Sequence, residues 1–157
     1  MSIKPTNLLV LQDELVELLK SKLAALSPAV HVLTPDDLQG EDTGPAKVQP
    51  VPAVNVVYMG HRFSDQPGRQ RTDGKAALVA QLFALEVVTR NVQTLKTGAA
   101  ARLGGGQLAM HVIDAIMGAR LPGAASPLAL VAGPGPTYKG GMQYLPLLAQ
   151  VDLLISR

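Results

Sequence analysis

The sequence predicts an α+β domain: a small, mainly antiparallel sheet with two helices packed on one face and a long β-hairpin arm protruding from it. Three observations lead there. Leucines recur at steps of three and four through residues 8–26, the period of an amphipathic helix. A second helical segment, at about 99–117, is followed and preceded by valine- and leucine-rich runs that suit strands. Between two of those runs lie the fifteen residues 61–75, HRFSDQPGRQRTDGK, which have no hydrophobic period and are too many for a tight hairpin turn. Helices and strands follow one another without a strict βαβ alternation, which points to α+β rather than to a parallel α/β sheet.

The first helix carries Leu8, Leu11, Leu15, Leu18, Leu19, Leu23 and Leu26, with Gln12, Asp13, Glu14, Glu17 and Lys20 between them. Thr6 or Asn7 supplies a cap, and Ser27-Pro28 ends it, because the residue before proline avoids helical geometry. A helix of this length covers a sheet in its own domain more often than it zips to a partner helix. Residues 30–33 form a short strand. Residues 34–50 are polar and rich in Gly and Pro and are expected to be a loop, with Asp36, Asp37, Glu41 and Asp42 solvated and without the DxDxDG spacing of a calcium loop. A valine-rich strand spans 51–59. Residues 76–88 contain good helix formers, so helix competes there. Strand is favoured because Phe83, Leu85 and Val87 alternate with Ala84, Glu86 and Val88, and because an arm needs two strands to stand on.

The second helix, from Ala99 or Ala100 to Met117, stops at Gly118, with Pro122 soon after. Its polar stripe is narrow: Gln107, His111 and Asp114. The rest is apolar, so it needs cover on more than one side, from its own sheet and loops or from a neighbouring subunit. Residues 128–131 make a short strand and 133–136, Gly-Pro-Gly-Pro, a break. From 142 to 155 the chain reads extended again, and Pro146 places that strand at an edge or a bulge.

Composition bounds function. The 157 residues suit a single domain over 1–157, with one core. Hydrophobic residues make up 47% and aromatics only 3%, with no Trp, so the core is aliphatic. The absence of Cys excludes disulfides and thiolate metal sites and fits a reducing cytoplasm. The start, MSIKPTNLLVLQDEL, lacks a signal-peptide pattern, and the longest apolar run, 76–88, is too short to span a bilayer and is broken by Gln81 and Glu86. No membrane association is expected.

Catalytic patterns are missing. His31, His61 and His111 lie outside any HExxH, and only His111 has a carboxylate, Asp114, one turn away. Gly104-Gly105-Gly106 is not followed by the Lys-Ser/Thr of a phosphate loop, and Ser64, Ser126 and Ser156 are not in a GxSxG elbow. The chain is therefore expected to be no enzyme and to hold neither metal nor cofactor. A pI near 9.0 keeps a basic nucleic-acid-binding module as an alternative. Against it stand two Phe and three Tyr in all, too few for a stacking platform, and no helix-turn-helix or zinc-finger spacing. Specific nucleic-acid binding is not expected.

The arm is the strongest functional signal. Arg62, Arg69, Arg71 and Lys75 are opposed by Asp65 and Asp73, a net +2 equal to that of the whole chain. Arginines in a Gly/Pro-punctuated loop suit bidentate pairing with carboxylates or phosphates on another molecule. With Phe63 they form a candidate assembly interface; a solvated surface loop is the competing reading.

The opening leucine helix, VNVVYMG with the arm after it, GRQRTDGKAALVAQLFALEVVTRN, QLAMHVIDAIMGAR and the closing TYKGGMQYLPLLAQVDLLIS together resemble the tail terminator family of Mu-like contractile-tailed bacteriophages and phage-tail bacteriocins. The resemblance covers nearly the whole chain. One departure is Ala119 after Gly118, where the family often carries an aromatic. The resemblance implies a structural virion protein of the tail and neck, assembled in the host cytoplasm. It implies a ring, commonly a homohexamer, that caps the head-proximal end of a tail tube, stops tube polymerisation and offers a surface to neck and sheath proteins. Another neck or tail-completion protein is the alternative within that class. Ile113, Ile116 and Met117 on the second helix and Tyr144 and Leu147 on the last strand are candidate subunit contacts, and the arm is expected to meet acidic groups on the tube or the adjacent subunit.

Overall fold

The computed structural model describes residues 5–39, 48–63, 76–90 and 99–156, with side chains at 99–103 left out. In chain order the elements are α1 (Val10–Leu23), β1 (His31–Leu33), α2 (Pro35–Leu38), β2 (Ala53–Phe63), β3 (Ala76–Arg90), α3 (Ala99–Ile116), β4 (Ala129–Val131), β5 (Thr137–Lys139) and β6 (Met142–Ser156). The sheet runs β1-β2-β3-β6-β4, and β5 also pairs with β6. Only the β1–β2 pairing is parallel. The mixed α+β fold with helices on one face is the expected one.

β2 and β3 are the two arms of one hairpin, and 76–90 is strand rather than helix. The expected alternation holds residue by residue: Val79, Phe83, Leu85 and Val87 face the helices and are fully buried. β6 repeats this with Ala149, Val151 and Leu153, in unbroken register with β3 from Ala76↔Ser156 to Arg90↔Met142. Onto this face α1 lays Leu11, Leu15, Val16, Leu19 and Leu23, and α3 lays Leu108, Ala109, Val112, Ala115 and Ile116. The core is aliphatic around a single aromatic, Phe83. Near one end the opposite face is also closed, with Ala53 and Val88 fully buried and Asn55 donating to Gln49 Oε1 at 2.8 Å. Burial on both faces explains why β2 opens as a nearly unbroken apolar run.

Four details depart from the sequence reading. α1 begins at Val10; Asn7 still acts ahead of it, its side chain accepting the Leu9 N–H at 2.9 Å. The segment expected to be loop contains α2, whose Thr34 N–H donates to Asp37 Oδ2 at 2.8 Å with Pro35 at the first position. β5 is a strand that sequence reasoning missed, closed onto β6 by Gly140 (φ 59°) and Gly141 (φ 74°), a two-residue turn with both residues left-handed. Finally, β6 is not an edge strand along its length, because β5 pairs its residues 142–144 and β4 its residues 148–150.

Pro146 fits that arrangement. The Asp152 N–H donates to Ser126 Oγ at 2.9 Å and its carbonyl accepts the Ala125 N–H at 2.8 Å, so even-numbered residues of β6 turn their backbone groups away from β3. The missing N–H of Pro146 therefore lies on the outer side, in the gap between β5 and β4, where it breaks no ladder bond.

Candidate assembly surfaces

The base of the arm is formed by the far ends of β2 and β3. Pairing passes from Tyr58↔Phe83 to Gly60↔Leu82, so Met59 is an extra residue, a β-bulge. Without it, Tyr58 and His61 would point to opposite faces. With it, Tyr58, His61 and Phe63 pair with Phe83, Gln81 and Val79 and share the helix side of the sheet. The rings form a continuous row: Tyr58 against Phe83 at 5.6 Å between centroids, Tyr58 stacked on His61 at 6.1 Å, and His61 edge-on to Phe63 at 5.5 Å. The Tyr58 hydroxyl is hydrogen-bonded to His61 Nδ1, and burial raises its pKa above the usual phenol value. The row begins in the core and ends in the open, where His61, Arg62 and Phe63 are exposed along with Met59. Of the five arm residues singled out from sequence, Arg62 and Phe63 thus sit at this base; Arg69, Arg71 and Lys75 lie outside the described residues.

Beneath the base, Gln81 is fully buried and donates from Nε2 to the Leu8 carbonyl at 2.7 Å, tying β3 to the turn that leads into α1. Its Oε1 has no partner among the described residues. β3 is therefore anchored through the helix layer as well as through the sheet.

α3 presents the second surface. Among the described residues, Met110 on α3 and Met117 just after its end are exposed and apolar, with Ile113 half-buried between them at helical spacing, while Gln107, His111 and Asp114 occupy the adjacent exposed stripe. Met110 was not singled out from sequence; the 4-3-4 step Gly106, Met110, Ile113 and Met117 is the signal that would have found it. Ile116 is fully buried in the chain's own core, and Tyr144 and Leu147 are half-buried on β6. Their registers put them on different faces: Leu147 pairs with the core residue Leu85, Tyr144 with Val88. The corner after α3 closes through Gly118 (φ 71°), whose N–H donates to the Leu128 carbonyl at 3.2 Å, while the Leu128 N–H donates to the Ala119 carbonyl at 2.7 Å. Ala119 packs against the core there without an aromatic ring.

The glycine run at 104–106 now has a packing role. A Cβ at Gly105 would stand 2.6 Å from Gln143 Oε1 and 3.1 Å from Thr89 Oγ1, whereas at Gly104 and Gly106 it would meet nothing within 4 Å. Thr89 and Gln143 are a directly opposed pair on β3 and β6, both buried, so the central glycine lets α3 close onto the sheet over this pair.

Among the described residues, no group of three or more His, Cys, Asp or Glu is placed to hold a metal ion, and no helix is long and apolar enough to cross a membrane. The one ion pair among them, Lys20 with Glu17 at 3.8 Å, is exposed on α1.

The family model described as phage tail terminator protein matches residues 13–157. No curated protein matches the chain. Among solved structures, a chain from the virion of a native gene transfer agent particle shares the fold, with a TM-score of 0.56 at 17% identity, over 92% of this chain and 94% of that one.

Proposed function

The chain belongs to the phage tail terminator family, whose members are structural proteins of the tail and not enzymes, and on that premise we propose that it forms a ring, a homohexamer, at the head-proximal end of a contractile tail tube. In this reading the ring stops tube polymerisation and offers its upper and outer surfaces to neck and sheath proteins. The observation that carries the ring is the exposed flank of α3: Met110 and Met117 are 56% and 65% exposed around a helix whose opposite side is fully packed. Heterologous contacts close a ring when one such flank meets a different surface of the next copy. Met110, Ile113, Met117, Tyr144 and Leu147 are the proposed contacts; Ile116, also expected from the sequence, is buried in the chain's own core and is not one of them. The arm, with Arg62, Phe63, Arg69, Arg71 and Lys75, is the proposed contact to acidic groups on the tube or the adjacent subunit.

The test is assembly. Light scattering and negative-stain imaging of the wild-type protein, alone and with tail tubes, should show closed rings. The Met110→Lys/Met117→Lys variant should remain folded, because both side chains are largely exposed, and should lose the rings. Wild-type protein that stays monomeric even on tubes, or a double variant that assembles equally well, would remove the proposal.

A further inference from the structure

Two exposed patches lie on the helix side of the sheet, on opposite sides of β3. One is the end of the aromatic row, where the exposed His61 and Phe63 rings stand 5.5 Å apart, edge to face. Arg62, between them, pairs with Ala80 and turns to the other face, so it is no part of this patch. The second patch is the flank of α3, which packs over β3 and β6 and displays Asp114 with Met117 one turn further on. The Met117 N–H donates to the Ile113 carbonyl at 2.9 Å, so helical geometry carries through to it. β2 bears the first patch and β6 underlies the second, and β3 separates them in the sheet. That placement lets copies of the chain join head to tail.

The chemistry of the two patches is complementary. The Tyr58 hydroxyl is hydrogen-bonded to His61 Nδ1. The phenol is the stronger donor, so Nδ1 accepts and the imidazole proton sits on Nε2, a donor on an exposed ring. The α3 flank answers with a carboxylate and a thioether. Residues three apart on a helix stand about 5–6 Å apart at Cβ, which matches the spacing of the two rings. From this match we infer that His61 and Phe63 of one copy dock on Asp114 and Met117 of the next. The His61 Nε2–H donates to the Asp114 carboxylate, and the Phe63 ring lies against the Met117 thioether. Met110, 56% exposed, extends the apolar rim of the same contact. The docking rests on the ring proposed above and names the contact that closes it.

The sequence contains no Cys, so introduced cysteines are the only thiols present. Phe63→Cys/Met117→Cys changes two exposed positions, and the purified protein, with tail tubes where assembly needs them, is oxidised and run on a non-reducing gel. One cysteine per chain crosslinks only pairs, whereas two that meet across copies should give a ladder of covalent oligomers up to the full ring. Ser21→Cys/Met117→Cys, with Ser21 exposed on α1, should give no such ladder. A second measurement needs no cysteine. His61→Phe and Asp114→Asn should each raise the concentration at half-assembly about tenfold. Together they should raise it no further than the larger single effect, because both remove the same bond. Where the wild type forms rings, a ladder no longer than the control's, or losses that add, overturns the docking and leaves the ring. A wild type that assembles neither alone nor on tubes overturns both.

Discussion

Alanine substituted in turn for Gly104, Gly105 and Gly106 should stabilise the chain at the two outer positions and not at the central one, although the residues are consecutive. All three lie inside α3, where glycine costs about 1 kcal/mol relative to alanine through backbone entropy. At 104 and 106 the new methyl meets nothing within 4 Å, so the helix gain stands alone. Each of these variants should be stabilised by about 0.5–1 kcal/mol, a rise in Tm of about 2–4 °C per kcal/mol for a chain of this size. At 105 the methyl stands 2.6 Å from Gln143 Oε1 and 3.1 Å from Thr89 Oγ1, both on buried side chains that pair across β3 and β6. Overpacking of this kind costs about 1–3 kcal/mol, which offsets or exceeds the helix gain. Gly105→Ala should therefore fall about 1–3 kcal/mol below Gly104→Ala. Urea unfolding followed by circular dichroism, at one fixed protein concentration, reads the difference. Pairing Gly105→Ala with Gln143→Ala should recover part of the loss, as a double-mutant cycle between touching residues requires. If Gly105→Ala stabilises the chain as much as Gly104→Ala does, α3 does not close onto the Thr89–Gln143 pair and the packing argument is wrong.

Three further outcomes follow. Gln81→Glu places a carboxyl in a fully buried site facing the Leu8 carbonyl, so its protonated form is favoured in the folded state and its pKa is raised there. Stability should be greatest below about pH 4.3 and fall as pH rises through the folded value, so urea midpoints at pH 5 and pH 8 should diverge, and equal midpoints would contradict the burial. Leu15→Ala, at a fully buried position where α1 meets the sheet, should cost about 2–5 kcal/mol in the same unfolding assay, and a loss below 1 would show α1 to be loosely docked. Replacing both Arg69 and Arg71 with Glu should leave the melting temperature unchanged and impair capping, seen as tails of irregular length by electron microscopy; normal tail length would dismiss the arm as an interface.

Legibility in the sequence tracked periodicity. α1 and β3 were readable because leucine steps of three and four, and the odd-numbered Phe83-Leu85-Val87 series, reflect one-sided burial. The arm was readable as an interruption between two such series. α2 was lost because four polar residues carry no period, and only Thr34 and Pro35 mark its start. β5 has three exposed residues and announces itself through Gly140-Gly141 alone. The bulge at Met59 left no compositional trace: whether Tyr58 and His61 share a face depends on a register that β3 imposes from outside the segment. The role of Gly105 is equally non-local, since it is defined by Thr89 and Gln143 on two other elements.

The unbroken pairing of β3 with β6 has a mechanical consequence. β2 and β3 form one hairpin, and fifteen residue pairs join β3 to β6. A pull on the outer end of β3 along the strand axis loads the β3–β6 ladder in shear, so the inter-strand bonds share the force rather than failing one at a time from an end. A pull across the axis would peel β2 first, at Phe63. The described part of the fold therefore resists traction along the strands and yields across them.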